Sequence, residues 1–219
     1  MKAAKQTPTA LITGGGGAIA EATALRLDQM GYQMILSDRI AEPAQRVAAK
    51  LSRPAKIIVC DQTRPEDLEK LLDTVRREHA DLDVLVNSAG YAVEGPFVGQ
   101  HKDEIERVLD INLRSPLHLI RGILPLMLER DRGAIVSIVS MGGILALADS
   151  ALYSAAKFGL RGFLTAIHEE VRDTKINISG VYPAAVDTPM LMHEALHGGS
   201  VLNWVGAVQT PDAVARAIV

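Results

Sequence analysis

Six short runs of aliphatic and β-branched residues recur along the chain, at 9–13, 33–37, 56–60, 84–87, 134–139 and 176–182. Between them lie helix-length stretches with an apolar stripe, at 18–30, 42–51, 65–79, 102–130 and 151–174. Near-continuous apolar strands need cover on both faces, and helix-length crossovers join strands that run the same way. The alternation therefore predicts an α/β fold, a doubly wound and mostly parallel sheet between two layers of helices. At 219 residues, 48% of them hydrophobic, one domain spanning 1–219 accommodates the pattern. No repeat, low-complexity tract or linker divides it.

Local signals mark the element ends. Gly31 stands where a helix C-terminus favours a left-handed residue, and Thr63 ahead of Pro65 and Glu66 reads as an N-cap. Thr210, Pro211 and Asp212 open a last helix at 213–219. The least regular stretch is 184–209, with Gly198, Gly199 and Gly206, and at that length it reads as a lid over a site.

Composition narrows the partners. A net charge of -3 without a Lys/Arg block leaves no electrostatic footprint for nucleic acid or an anionic membrane surface. The longest apolar segment, 135–148, is broken by Ser137, Ser140, Gly142 and Gly143 and falls short of the ~20 residues of a spanning helix. The single cysteine, Cys60, forms no internal disulfide, which suits a reducing, cytoplasmic setting, and its strand-end position reads as core. His193 and His197 are four apart without a third ligand in view, so no metal is expected.

Two motifs carry the chemistry. The first strand runs into Thr13-Gly14-Gly15-Gly16-Gly17-Ala18-Ile19-Ala20 and then a helix, with Asp38 at the end of the second strand. Glycines at such a turn let backbone approach a pyrophosphate, and the helix start supplies N–H donors and partial positive charge. Asp38 suits the hydroxyls of an adenosine ribose and repels a 2′-phosphate, whereas Arg39 beside it suits that phosphate. NAD is favoured over NADP on this pair. The second motif is Tyr153-Ser154-Ala155-Ala156-Lys157, with Ser140 thirteen residues ahead of the tyrosine. Tyr and Lys four apart share one helix face, and a nearby ammonium favours a phenolate that is otherwise too basic for work at neutral pH.

On these residues the chain resembles the short-chain dehydrogenase/reductase family in its common short form, over essentially its whole length. The family loop is Thr-Gly-x-x-x-Gly-x-Gly, so Thr13 and Gly14 match while Ala18 and Ala20 stand where glycines are usual. The resemblance implies a Rossmann-like, three-layer α/β/α fold and a cofactor site of Thr13, Gly14, Gly16, Gly17, Ala18, Ile19, Asp38 and Arg39. Asp61 and Gln62 join it at the adenine. Asn87, Ala89 and Gly90 come from Asn87-Ser88-Ala89-Gly90, similar to the family's Asn-Asn-Ala-Gly, with Asn87 read as holding the sheet. Tyr153 and Lys157 contribute at the ribose and nicotinamide. Pro183, Val186 and Thr188 come from a stretch resembling Pro-Gly-x-Val-x-Thr-x-Met, in which Ala184 replaces the glycine. The implied catalytic set is Asn112, Ser140, Tyr153 and Lys157, interconverting a secondary alcohol and a ketone. Lys157 is expected to lower the Tyr153 pKa, and Asn112 to complete a proton relay through a water.

The substrate space is expected along 91–98, 141–152 and 190–204, where Phe97, Met141, Ile144, Leu145, Leu147, Leu191, Met192 and Trp204 favour an apolar alcohol or ketone. Rival readings are an NADP-linked 3-oxoacyl thioester reductase of the same family and a cofactor-binding regulator without catalysis. Family members often form tetramers through the helices carrying Asn112 and Tyr153, so a homotetramer or dimer is expected. They also continue past the helix at Pro211 into a last strand. This chain stops at Ala217-Ile218-Val219, which suggests that the last strand is missing from it.

Overall fold

The computed structural model describes residues 7–146, 148–196 and 207–219. Six strands, β1 (Thr9–Thr13), β2 (Gln33–Asp38), β3 (Lys56–Val59), β4 (Val84–Asn87), β5 (Gly133–Ile138) and β6 (Ile176–Val181), form one sheet in the order β3-β2-β1-β4-β5-β6. Every pairing is parallel. The chain winds outward from β1 in one direction through β2 and β3, then returns to β4 on the other side. Strand order therefore reverses between β1 and β4, opening a crevice at the strands' C-terminal ends.

The helices are α1 (Ala18–Gln29), α2 (Ala41–Ala48), α3 (Pro65–Glu78), α4 (Lys102–Leu109), α5 (Ser115–Glu129), α6 (Ala151–Glu170), α7 (Pro189–Leu196) and α8 (Pro211–Ile218). Central strands are apolar on both sides because each side is covered. Leu11, Ile35, Leu85 and Ile135 pack with Leu71, Leu72, Ile120, Ile123 and Leu160 of α3, α5 and α6. On the opposite face Ala10, Ile12, Leu36 and Val86 pack with Ala20, Ala24, Leu27 and Val47 of α1 and α2. All five residues of β1 are buried, as its central place requires.

Four local expectations are corrected. The helix predicted over 102–130 is two helices joined by a π-helical turn, Asp110–Arg114. Pro116 has no N–H to close an α-helical bond onto the Asn112 carbonyl, and the Asn112 amide donates instead to Val108 O at 2.9 Å and to Tyr91 O. Thr63 does not cap α3: its hydroxyl donates to Asp61 Oδ1 at 2.8 Å, and Arg64 occupies the cap position without a side-chain bond. Within the irregular 184–209 stretch, Pro189 starts the helix α7. The helix predicted over 151–174 ends at Glu170. Gly31, at φ +94°, and Thr210, whose side chain accepts from Ala213 N, serve as expected. Among the described residues no helix is long and apolar enough to cross a membrane.

Candidate active site

The turn after β1 is set by backbone contact. Gly14 has φ +63°, and a Cβ on it would stand 2.8 Å from the Ala89 Cα; a Cβ on Gly16 would stand 2.9 Å from the carbonyl carbon of Pro43. Side chains are thus excluded where the loop meets β4 and α2. Thr13 tightens the same junction from below, its Oγ1 accepting from Ser88 N (3.2 Å) and Ala89 N (3.3 Å). α1 starts at Gly17 with no side-chain cap, so its first N–H groups have no partner on the capping residue. A backbone cradle with an uncapped helix start fits the pyrophosphate of a dinucleotide.

Asp38 ends β2 beside this loop. Its Oδ2 accepts from Gly16 N at 2.9 Å and its Oδ1 from Ile40 N at 3.3 Å, so the carboxylate fixes the loop as well as facing the cleft. Asp61 accepts from the Thr63 N–H and hydroxyl and, with Gln62, lines the wall beyond β3. Cys60 is 2% exposed among apolar neighbours, and burial pushes its thiol up to about 12, as befits a core residue.

At the other end Ser140 follows β5 with φ +96° and ψ 155°, a strained conformation for a residue with a Cβ. Its Oγ accepts from Gly142 N at 3.1 Å, and its hydroxyl pulls the Tyr153 pKa downward. Tyr153 lies in the first turn of α6, its ring edge against Gly142. Lys157, one turn on and 3% exposed, donates to Ile138 O at 2.8 Å, with its Nζ 5.5 Å from the Tyr153 ring centroid. Here the protein groups act differently from the expectation. Burial pushes the Tyr153 phenol up to about 12, against the lowering pull of Ser140, and burial pushes the Lys157 ammonium down to about 7. Desolvation penalises the charged form of both. Lys157 alone therefore does not bring the phenol toward neutrality.

These ends share one cleft of roughly 1170 Å³ over the C-terminal edge of the sheet. Gly14, Gly16, Gly17, Ala18, Ile19, Asp38, Arg39, Asp61, Gln62, Ala89, Gly90, Ser140, Tyr153, Lys157, Pro183, Val186 and Thr188 all line it. Thr13, Asn87 and Asn112 lie behind the wall. Asn87 is 3% exposed and donates to Ser137 Oγ at 3.1 Å, tying β4 to β5. Asn112, fully buried in the π-helical turn, holds Tyr91 by both its backbone groups.

Of the expected apolar contacts, Met141, Leu145 and Leu191 reach the wall, while Phe97, Ile144 and Met192 are exposed away from it. Leu147 and Trp204 lie outside the described residues, as do His197 and the 197–206 part of the expected lid. The wall also carries Glu94, Glu194 and Arg107, which no motif marked. Only the fold brings these loop and helix positions to the mouth. Among the described residues no group of three or more potential metal ligands clusters.

Comparison with known proteins agrees with this arrangement. Residues 8–197 match the family model described as short chain dehydrogenase. An uncharacterized oxidoreductase of Staphylococcus aureus strain MW2 is 30% identical over 180 residues, 82% of this chain and 78% of that protein. A metagenomic short-chain oxidoreductase solved with NADP superposes with a TM-score of 0.83 at 29% identity, covering 97% of this chain and 89% of that one. A short-chain dehydrogenase from Sphingobium yanoikuyae, solved with NADPH, gives 0.86 at 28% identity, covering 96% and 82%. With the fold, the nucleotide cradle and the family match in agreement, the chain is an oxidoreductase belonging to the short-chain dehydrogenase family.

Proposed function

We propose that the protein interconverts a secondary alcohol and a ketone, with Tyr153 as general acid/base and a nicotinamide dinucleotide as hydride carrier. The observation that carries this reading is one cleft with a glycine loop and an uncapped helix start at one end and Ser140, Tyr153 and buried Lys157 at the other. The dinucleotide, when bound, supplies the hydride acceptor and donor at its nicotinamide ring. Gly14 to Ile19 hold its pyrophosphate, Asp38 its adenosine ribose, and Val186 and Thr188 its nicotinamide half.

Ser140 donates a hydrogen bond to the substrate oxygen as charge develops there, and Tyr153 takes or returns the hydroxyl proton. Lys157 has one backbone acceptor, Ile138 O, and offers its remaining donors to a ribose hydroxyl. Tyr153, which burial holds protonated, would ionise more readily with an oxidised nicotinamide's positive charge beside it. Asn112 keeps the π-helical turn and the Tyr91 segment in register beside this group. The reacting end takes a substrate with an apolar body against Met141, Leu145 and Leu191.

The cofactor of this reading is NAD, because the Asp38 carboxylate lines the cleft at the end of β2, where it would accept from ribose hydroxyls. Arg39 beside it and the NADP and NADPH complexes of the two structural neighbours support NADP as a second reading. Exposed Phe158 and Gly162 of α6 suit a homo-oligomer packed through this helix. A panel of alcohols and ketones run with each cofactor and followed by nicotinamide absorbance tests the activity. Tyr153→Phe is expected to lower turnover by about 10²–10⁴-fold with dinucleotide binding kept; turnover near the wild-type rate would refute the role of the tyrosine.

A further inference from the structure

Two chain segments flank the reacting end of the cleft, and one backbone hydrogen bond joins them. Residues Tyr91 to Glu94 line one wall, and Leu145, Ser150 and Tyr153 line the other. Next to both sets, the Gly95 N–H donates to the Asp149 carbonyl at 2.9 Å. Glu94 and Ser150 are each one residue from this bond, so the two walls are clasped where they meet.

Both partners hold unfavourable backbone to make it. Gly95 has φ +115°, and Asp149 has φ +63°, a left-handed conformation that is costly for a residue with a Cβ. Such a conformation persists only when its surroundings impose it. On the Gly95 side the constraint comes from Gln100. After Pro96 the chain makes one 3-10 turn, Phe97–Gly99, and Gln100 folds back on it, its backbone N–H donating to Phe97 O at 3.1 Å. Its side-chain amide then donates to Glu94 O at 3.1 Å and to Gly95 O at 3.2 Å. Phe97 and Val98, at the tip, are 56% and 96% exposed, so packing does not anchor the turn. On the Asp149 side, α6 opens two residues later with no side-chain cap at Ser150, and Tyr153 is its third residue. The clasp thus ties the turn that carries Tyr153 to the opposite wall.

Gln100 itself does not line the cleft. Resting on the alcohol and ketone reading above, we infer that Gln100 is a positioning residue that, through Gly95 and Asp149, fixes the width of the reacting end and so limits the bulk of the ketone or alcohol that enters. A pocket rejects a larger substrate by contacts that cannot give way, and walls clasped together cannot part to admit one.

Two variants loosen the clasp without changing the cleft lining. Gln100→Met removes the amide donors at similar length, and Asp149→Val puts a β-branched residue where φ is positive. Asp149→Gly keeps the carbonyl and removes the backbone cost, which makes it the control. Circular dichroism confirms the fold of each. Hydrogen exchange over residues 93–99 reads the clasp directly: exchange should be about tenfold faster or more in Gln100→Met and Asp149→Val, and near the wild-type rate in Asp149→Gly. Reduction of acetophenone, propiophenone and benzophenone with excess reduced dinucleotide reads its consequence. The ratio of kcat/KM for benzophenone to that for acetophenone should rise about fivefold or more in both loosened variants and stay within about twofold of wild type in Asp149→Gly. Dinucleotide affinity, followed by nicotinamide fluorescence, should be unchanged. Faster exchange with an unchanged ratio, or an equal fall for all three ketones, overturns the inference while leaving the activity standing. Unchanged exchange in Gln100→Met also overturns it. A wild type that reduces none of the three overturns the inference, and one that also turns over nothing in the wider alcohol and ketone panel overturns the reading beneath it.

Discussion

The glycine loop after β1 and the Ser140, Tyr153 and Lys157 group sit at opposite ends of one cleft and keep their shapes by different means. The loop is held by van der Waals exclusion: Gly14 lies against the Ala89 backbone and Gly16 against Pro43, so geometry alone decides which side chains are allowed. The reacting end is held by polar groups out of water. Ser140 keeps a strained backbone while its Oγ accepts from Gly142 N, and Lys157 is buried with Ile138 O as its acceptor. Binding a polyanion calls for backbone donors at fixed positions, whereas moving a proton calls for groups whose charge can change. Substitutions at the two ends are therefore expected to separate binding from turnover.

After Tyr153→Phe, the largest effect is expected from Ser140→Ala, which removes a donor to the developing oxyanion and should cut turnover by roughly 10²–10³-fold. Dinucleotide affinity, read by nicotinamide fluorescence, should stay within twofold, and a parallel fall in affinity would mean that the two ends are not separable. Gly16→Ala should do the reverse. Its new Cβ meets Pro43 backbone that cannot swing aside, so urea denaturation should show a loss of about 1–3 kcal/mol, with the cofactor KM rising more than kcat falls.

Lys157 gives a smaller and pH-dependent contrast. Its pKa in the fold, about 7 through burial, lies below the ordinary value near 10.5, so between these values the unfolded chain holds a proton that the folded chain lacks. Stability therefore rises with pH across that window and is flat below it. Relative to Lys157→Met, the wild type should gain about 1.4 kcal/mol per unit from pH 7.5 to 9.5 in denaturant titrations. A difference that stays constant with pH would mean that Lys157 is charged in the fold. The smallest effect belongs to a pair remote from the reacting end: Arg26 and Asp212 join α1 to α8 at 2.8 Å on the surface, and Arg26→Ala should cost under about 1 kcal/mol.

Much of this architecture was legible in the residue pattern, and the misses have physical causes. Strand periodicity and glycine position are local, so β1, the Gly14 turn and the Tyr153 to Lys157 spacing could be read directly. The break at Asp110–Arg114 was not, because the apolar stripe continues through it and only the lack of an N–H on Pro116 marks the place. Thr63 looked like a cap by type, but Asp61 lay close enough to take its hydroxyl. Substrate-facing residues were the least legible. Phe97 and Met192 had the right apolar character yet are exposed and do not line the cleft, since a single short helical turn carries too little periodicity to reveal its facing.

By itself the sequence determined the doubly wound sheet, the place of the glycine loop and the spacing of the serine, tyrosine and lysine that line the same cleft. Each follows from spacing along one element or one turn, where covalent geometry leaves little choice. Tertiary structure alone decided what those groups feel. Desolvation, an effect of everything packed around a side chain, drives Tyr153 and Lys157 toward their neutral forms and leaves the new charge to be supplied by what binds. It also decided that Arg39 and Arg107, far apart in sequence, line the same cleft, because a helix and a strand end become neighbours only once the sheet has formed.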